Sequence, residues 1–483
     1  MGEYFVGIDI GTSNLKALVT DRKGNMLQKH TLPCPTLHPK NTYAEQNPEF
    51  IYQQLLQLLN KVAQSQQEKP IAVSFSAAMH SLIAMDAQGI PLSNAIIWAD
   101  NRAEKQAEKL KNTEMGKTIF LHTGTPIHAM SPLPKIIWFK EKQRNIFDNT
   151  AWFCSIKEYI FFRLFDKKII DMSLASATGL QDFQSKTWFQ PALQAAHISE
   201  KQLSDIVSPY HCEVLGKNNL VPAWENVPFV VGASDGTLAN LGSGAVGDHI
   251  TTLTIGTSGA VRRTSRTPVS DSKMQLFNYI LDEDHYIVGG PTNNGGIALE
   301  WLSKNLLHRD ISQLVAEAQK IPIGSEGLLF LPFILGERAP IWDAKARGAY
   351  LNVAFEHTQA HFTRATLEGI LFNLQNIHEL VETQLSPSEA IYADGGFTKS
   401  VFWVQMLADI TGKPIFVRES EDSAAIGAIM IAMKALKNYN TLEEIIAILQ
   451  PAILVSPDLT NHKIYVPFYK KYKKAVNQMT PSV

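Results

Sequence analysis

Tyr4-Phe5-Val6-Gly7-Ile8-Asp9-Ile10-Gly11-Thr12-Ser13-Asn14-Leu15-Lys16-Ala17-Leu18-Val19 reads as an apolar run, a polar turn and an alternating apolar run. That pattern is a β-hairpin closed by a tight turn. Its centre returns 245 residues later as Ile255-Gly256-Thr257-Ser258, behind Leu253 and ahead of Ala260-Val261. Two such hairpins about half a chain apart predict a duplicated architecture. No linker rich in proline, glycine or serine parts the halves, so the boundary is expected near Ala245-Val246, giving domains 1–245 and 246–483.

Helices and strands alternate through both halves. Asn47-Pro48-Glu49 has the form of an N-cap with proline in the first turn, and Phe50, Leu55, Leu58, Leu59 and Val62 follow at helical spacing. Ile71 to Phe75 and Leu82 to Met85 read as strands. Helices are expected over roughly 362–381, with Ile370, Leu371, Leu374 and Ile377 on one face, and over 424–436. The fold class is therefore α/β.

Composition excludes several classes of function. The 483 residues carry 44 basic and 46 acidic side chains, a net charge of -2, which leaves no electrostatic footprint for nucleic acid or an anionic membrane. Apolar residues make up 45%, enough to build a large core. The three cysteines Cys34, Cys154 and Cys212 are too far apart to read as a disulfide framework or a metal knuckle. The apolar run 424–433 is too short for a bilayer, which needs about 20 residues. The N-terminal residues do not read as a signal peptide. A soluble protein of a reducing compartment, most simply the cytoplasm, is expected.

Four places carry candidate chemistry. Asp9 ends a buried strand beside a glycine turn whose amides, with Thr12 and Ser13, can bind phosphate oxygens. Lys16 can add positive charge, and Asp9 can hold Mg²⁺ through its water shell. Gly256 and Thr257 repeat the turn, and the same residues also read as plain hairpin turns. Asp394-Gly395-Gly396 sits between a strand and a helical pattern, where adjacent glycines allow a ring or phosphate close approach. Val230-Val231-Gly232-Ala233-Ser234-Asp235-Gly236 again puts a carboxylate beside glycine at a strand end, and Asp235 reads either as an acceptor for a hydroxyl proton or as a turn aspartate.

In this order and spacing the chain resembles the FGGY carbohydrate kinase family, built as two actin-like (ribonuclease H-like) ATPase lobes. Residues 7–12 resemble its first phosphate motif, 253–259 its second, and 394–396 its adenosine motif. Gly336-Glu337-Arg338-Ala339-Pro340, with Trp342-Asp343 and Arg347-Gly348, resembles a loop of the family's C-terminal lobe, and Glu368-Gly369-Ile370 its signature. The resemblance implies ATP and Mg²⁺ in a nucleotide cleft between the lobes. It gives Gly11, Thr12, Ser13, Lys16, Gly256, Thr257, Gly395 and Gly396 to the nucleotide, Asp9 and Asp235 to the metal, and Asp235 to catalysis as the base.

The same resemblance implies the sugar contacts. Met79 and His80 lie in the segment 76–81, Asp100 and Arg102 in 98–102, and Asn293 and Asn294 in 290–296. These stretches look most like those of members that phosphorylate gluconate, with xylulose phosphorylation as the alternative. Arg102, His80 and the two asparagines are the candidate partners for a sugar carboxylate. Glu45 matches an acidic position of the family; His80 also reads as a structural histidine, Asp100–Arg102 as a loop brace, and Glu45 as first-turn helix electrostatics. A small-molecule substrate, no nucleic acid, no membrane and a possible homodimer complete the expectation. A non-enzymatic actin-like sugar- or nucleotide-binding protein is the rival outside enzymes.

Overall fold

The computed structural model describes residues 3–66, 68–217, 220–418, 422–449 and 452–479. The chain forms two compact units: Met1–Val246, Arg266–Ile287 and Asp422–Leu449 make the first, and Gly247–Ser265, Val288–Glu421 and Gln450–Val483 the second. It first passes between them at Val246, and two later segments return to the first. Among the described residues no helix is long and apolar enough to cross a membrane.

The first unit is built on strands β1 (Tyr4–Ile10), β2 (Asn14–Asp21), β3 (Met26–Pro33), β4 (Ala72–Ala77), β5 (Cys212–Val214) and β6 (Pro228–Ser234). They lie in the order β5-β6-β4-β1-β2-β3. β1 and β4 are buried along almost their whole length, as strands covered on both faces must be. Helix α1 (Pro48–Ser65) starts where Asn47 accepts a hydrogen bond from the Phe50 amide, 3.0 Å. Its buried face runs through Ile51, Leu55, Leu58, Leu59 and Val62. Phe50 was expected on that face and is instead 39% exposed, because the cap at Asn47 turns the third helical residue outward.

Four further helices carry or brace the site in this unit: α2 (Pro132–Lys142), α3 (Ile156–Phe165), α4 (Met172–Ser176) and α5 (Asp235–Gly242). α5 follows β6 with no intervening loop. Asp235 is therefore the first residue of a helix.

The second unit repeats the plan. Strands β7 (Ile250–Ile255), β8 (Gly259–Ser265), β9 (Ala390–Asp394), β10 (Ile415–Val417) and β11 (Ile453–Val455) run in the order β8-β7-β9-β10-β11. β7 is antiparallel to β8 and parallel to β9, β10 is parallel to β9, and β11 is antiparallel to β10. In the first unit β1 is antiparallel to β2 and parallel to β4, β6 is parallel to β4, and β5 is antiparallel to β6. The echoed hairpins thus open two sheets, of six and seven strands, whose five corresponding strands share one topology. Their turns differ by one residue: Ile10 pairs with Leu15, whereas Ile255 pairs with Gly259.

Helix α6 (Gln359–Gln384) outruns its expected limits at both ends. At Gly369 a Cβ would stand 2.3 Å from the Phe330 carbonyl oxygen, so only glycine lets the helix lie this close. Glu368 beside it is buried and accepts from Arg364 Nε at 2.8 Å and Ser325 Oγ at 3.0 Å. These signature residues hold the core of the second unit.

Helix α7 (Ser423–Ala435) packs on the first unit at near-backbone contact. A Cβ on Gly7 would meet the Ala425 carbonyl oxygen at 2.4 Å, one on Gly242 the Ser423 oxygen at 1.9 Å, and one on Gly427 the Leu238 oxygen at 2.2 Å. The Gly242 and Gly427 contacts press α7 onto α5, the helix that Asp235 begins. Gly427→Ala should therefore force the two apart and destabilise the first unit by roughly 1–3 kcal/mol, the usual range for overpacking. Urea unfolding checks this, and an unchanged midpoint would refute it.

Candidate active site

The first glycine turn joins β1 to β2 and is braced from outside the hairpin. Gly11 N donates to Asn14 O at 3.1 Å, Gln46 Nε2 to Thr12 O at 2.7 Å, and Cys34 N to Ser13 O at 2.9 Å. With those carbonyls held, the side chains of Thr12 and Ser13 lie at the surface, half-buried and exposed. Asp9 stands just before the turn. Its Oδ1 accepts from Ser76 Oγ at 2.8 Å, and burial raises its pKa. Its Oδ2 lies beside Gly11, 3.9 Å from where a Cβ would be. Lys16 is ion-paired with Asp422 at 3.0 Å, and Asp422 also pairs with Lys29 at 2.6 Å.

Asp235 owes its place to a defect in β6. The register against β4 shifts between Val230 and Ala233, around Gly232 at φ +70°. A Cβ on Gly232 would sit 1.9 Å from the Phe75 carbonyl oxygen. A bulge turns carbonyls away from the sheet, and here Lys157 of α3 collects them: Nζ donates to Val231 O and Ala233 O, each at 3.1 Å. Lys157 also pairs with Asp171 at 2.7 Å, with both side chains at most 2% exposed. Burial lowers the Lys157 pKa while Asp171 opposes that shift, and Lys157 lies within electrostatic reach of Asp235. Asp235 is half-buried at the positive end of α5, and its Oδ1 accepts from the Gly236 amide at 2.7 Å.

The two expected sugar segments of this unit are brought together. His80 sits at φ +70°, a left-handed backbone that costs a non-glycine residue about 1–2 kcal/mol. Its Nδ1 lies 2.9 Å from Ala177 O, a pure acceptor, so Nδ1 carries a proton and donates it there. Met79 beside it is half-buried against the core. Asp100, fully buried, accepts from Ala44 N at 2.6 Å, Arg102 Nε at 2.8 Å and Arg102 Nη2 at 2.7 Å. Glu45 accepts from the same Nη2 at 2.5 Å and from Asn94 Nδ2 at 2.9 Å. Glu45 is therefore a partner of Arg102 on a short strand, not a first-turn helix charge. The Arg102 guanidinium lies 3.8 Å from the Tyr43 ring centre, and its Nη1 carries no hydrogen bond to the described residues.

Lys135 on α2, missed by the sequence reading, sits beneath both segments. It is fully buried, and its Nζ donates to His80 O at 2.7 Å, Ile97 O at 2.9 Å and Ile96 O at 3.2 Å. Burial pulls its pKa down to about 7. Lys135 and Lys157 each interrupt an apolar helix face, in Pro132-Leu133-Pro134-Lys135-Ile136 and Ser155-Ile156-Lys157-Glu158-Tyr159. A charge inside an apolar stripe is a signal the chain offers, since lysine is almost never fully buried unless paired.

In the second unit Gly256 and Thr257 are exposed, and a Cβ on Gly256 or Gly396 would meet no atom within 4 Å. Gly395 differs: at φ +104° it lies against β7, where a Cβ would be 2.4 Å from Ile255 O. Asn293 and Asn294 belong to this unit, apart from the unit of His80 and Arg102. Asn294 is buried, its amide donating to Gly336 O at 2.7 Å and its oxygen accepting from Leu335 N at 3.1 Å. Both asparagines ring Glu337, which also accepts from Thr292 Oγ1 at 2.6 Å and Asn373 Nδ2 at 2.9 Å. The Asn294 side chain is thus spent inside the protein, which its polar sequence context could not reveal.

Residues 4–242 match the N-terminal domain of the FGGY family of carbohydrate kinases, and residues 251–436 its C-terminal domain. The chain belongs to the FGGY family of carbohydrate kinases: it is an ATP-dependent phosphotransferase with an alcohol group of a sugar or sugar acid as acceptor. It is 38% identical to a gluconokinase of Bacillus subtilis (strain 168) over 92% of this chain and 90% of that one. The crystal structure of a gluconate kinase from Lactobacillus acidophilus matches with TM-score 0.96 at 33% identity, covering 99% of each chain. A ligand-bound xylulose kinase from the same organism matches with TM-score 0.97 at 33% identity, covering 100% of this chain and 99% of that one.

Lys135 makes stability depend on pH in a defined direction. Its folded pKa lies near 7, below the ~10.4 of an unfolded lysine, so the unfolded state binds more protons across that window. Stability from this group therefore rises with pH, by up to about 1.4 kcal/mol per unit. The gap in unfolding free energy between wild type and Lys135→Met should widen in favour of the wild type as pH goes from 7 to 9. A gap that stays constant in urea melts would contradict this.

Proposed function

We propose that this chain transfers the γ-phosphoryl group of ATP to the terminal hydroxyl of D-gluconate, making 6-phospho-D-gluconate. Arg102 carries the choice of substrate. Asp100 and Glu45 fix its guanidinium through Nε and Nη2, which leaves the two N–H groups of Nη1 for a planar anion. A carboxylate gains charge-assisted hydrogen bonds there that a neutral ketose cannot return. The 38% identity to a gluconokinase supports the same reading. Xylulose is the second reading, supported by the xylulose kinase structure at equal identity to the gluconate kinase structure.

Asp235 is the base. It accepts the proton of the attacking hydroxyl as the new O–P bond forms and the bond to the β-phosphate breaks, releasing ADP. The helix end behind it favours the carboxylate, so the proton is taken late, as suits a loose transition state. His80 Nε2 accepts from a sugar hydroxyl. Thr12, Ser13 and the Gly11 turn bind phosphate, and the open glycines Gly256 and Gly396 with Thr257 serve the nucleotide. Gly395 shapes the backbone that presents Gly396, and Lys16, held by its ion pair with Asp422, tempers phosphate charge.

The donor set at Asp9 fits a Mg²⁺ ion that keeps most of its waters, since one half-buried carboxylate with an oxygen at the turn is what such an ion uses. Asp9 would hold it, with Asp235 as a second carboxylate through water, and the ion would neutralise phosphate charge.

A coupled ADP-release assay over a sugar panel tests the reading. kcat/KM for D-gluconate should exceed that for D-xylulose by at least ~10²-fold, within what an unpaired polar site can enforce. Asp235→Asn should lower kcat by ~10²–10⁴ with little change in ATP affinity, as loss of a general base does. A variant with near-normal turnover would take Asp235 out of the mechanism.

The nucleotide assignment is best tested at Gly256, where an added Cβ would meet no atom within 4 Å. Gly256→Val should keep the melting temperature and weaken ATP binding. Gly11→Val is the poorer probe, because its Cβ would press on Asn14 O at 2.9 Å. Unaltered ATP affinity in well-folded Gly256→Val, measured by calorimetry, would remove the second turn from the nucleotide.

A further inference from the structure

We infer that Lys135 is a positioning residue for the sugar: its buried ammonium ties the His80 segment to the Asp100–Arg102 segment and sets their spacing. The inference rests on the reading of these segments as the sugar site.

The geometry leaves Lys135 no other task. All three N–H donors end on backbone carbonyls, one from His80 and two from Ile96 and Ile97, so it has no donor left for a ligand. The His80 carbonyl belongs to the 76–81 stretch, and Ile96 and Ile97 lead directly into 98–102, so the ammonium joins the two stretches that carry the proposed contacts. The side chain is fully buried, which excludes a solvating role.

His80 supplies the reason a clamp is needed. Its left-handed backbone is strained, and strained residues persist only where the surroundings over-determine them. Two bonds do so here: Nδ1 holds Ala177 O, and the His80 carbonyl is held by Lys135. Releasing the carbonyl lets the backbone relax and swings Nε2 away from where it faces a hydroxyl.

Strain also separates this role from a merely structural one. Lys135→Met removes a buried charge and frees the strained His80, and both changes offset part of the three lost hydrogen bonds. The sugar site, in contrast, loses its spacing outright. In the ADP-release assay Lys135→Met should raise the sugar KM by roughly 10-fold or more, the scale of one lost hydrogen bond to a charged group, while the ATP KM stays within about twofold. Equal shifts in both KM values, or unchanged KM values with a lowered melting temperature, would overturn the inference. If Lys135→Met does not fold, Lys135→Gln, which keeps two N–H donors on a shorter stem, decides by the same split. The assay is run with gluconate and with xylulose on wild type first. A preference for xylulose would sink the substrate reading alone, and the Lys135 test would proceed with xylulose as the sugar.

Discussion

Backbone at positive φ, held by buried lysine, is the constraint on which the site in the first unit depends. Gly232 and His80 both sit at φ +70°, one at a bulge in β6 and the other at the end of the segment that follows β4. Such a residue turns neighbouring carbonyls out of the regular ladder, and a buried carbonyl must find a donor. Lys157 serves the bulge and Lys135 serves His80. A lysine suits this work because one point charge donates in three directions. The short helix α4 links the two devices: its N-cap Asp171 pairs with Lys157, Ser173 Oγ bonds Ser234 Oγ at 3.0 Å, and the carbonyl after its end takes His80.

These devices carry a cost that their positions explain. A buried ammonium gives up its hydration, and attraction repays this only when geometry is good and every donor is used. Lys157 meets the condition with a carboxylate and two carbonyls, Lys135 with carbonyls alone and a carboxylate nearby. An apolar residue at either place would leave carbonyls unpaired yet spare the desolvation. Global stability therefore gives weak grounds for keeping these lysines. Fixing the groups proposed to touch substrate within a fraction of an ångström gives strong ones.

Much of this was legible in the chain. The hairpin echo gave two sheets of one topology because turn chemistry and strand alternation are local. The carboxylates at strand ends, Asp9 and Asp235, were visible for the same reason. What the chain hid was set by distant partners. Nothing near Glu45 in sequence shows that Arg102 will reach it, and nothing near Asn294 shows that Glu337 and Gly336 will claim its amide. The buried lysines were half-legible: their apolar surroundings marked them as unusual, but the carbonyls they serve come from segments 38 to 76 residues away. Phe50 shows the local limit, where a cap fixes the helix phase and spacing alone misassigns a face.

The two units have also diverged where duplication predicts likeness. In the first, the hairpin strand carries the carboxylate and its parallel neighbour the hydroxyl, Asp9 opposite Ser76. In the second the types are exchanged, Thr254 opposite Asp394. Each sheet so keeps one acid and one hydroxyl at the same level, but the acid has crossed to the other strand. A hairpin strand bearing a carboxylate beside its turn suits a cation that accompanies phosphate, whereas a neutral threonine there lets a turn face phosphate without like-charge repulsion. The displaced acid, Asp394, accepts from the Gly395 amide at 2.6 Å and so helps fix the left-handed glycine that presents Gly396. The one-residue shorter second turn and this exchange leave a shared scaffold retained, with charge moved by one strand.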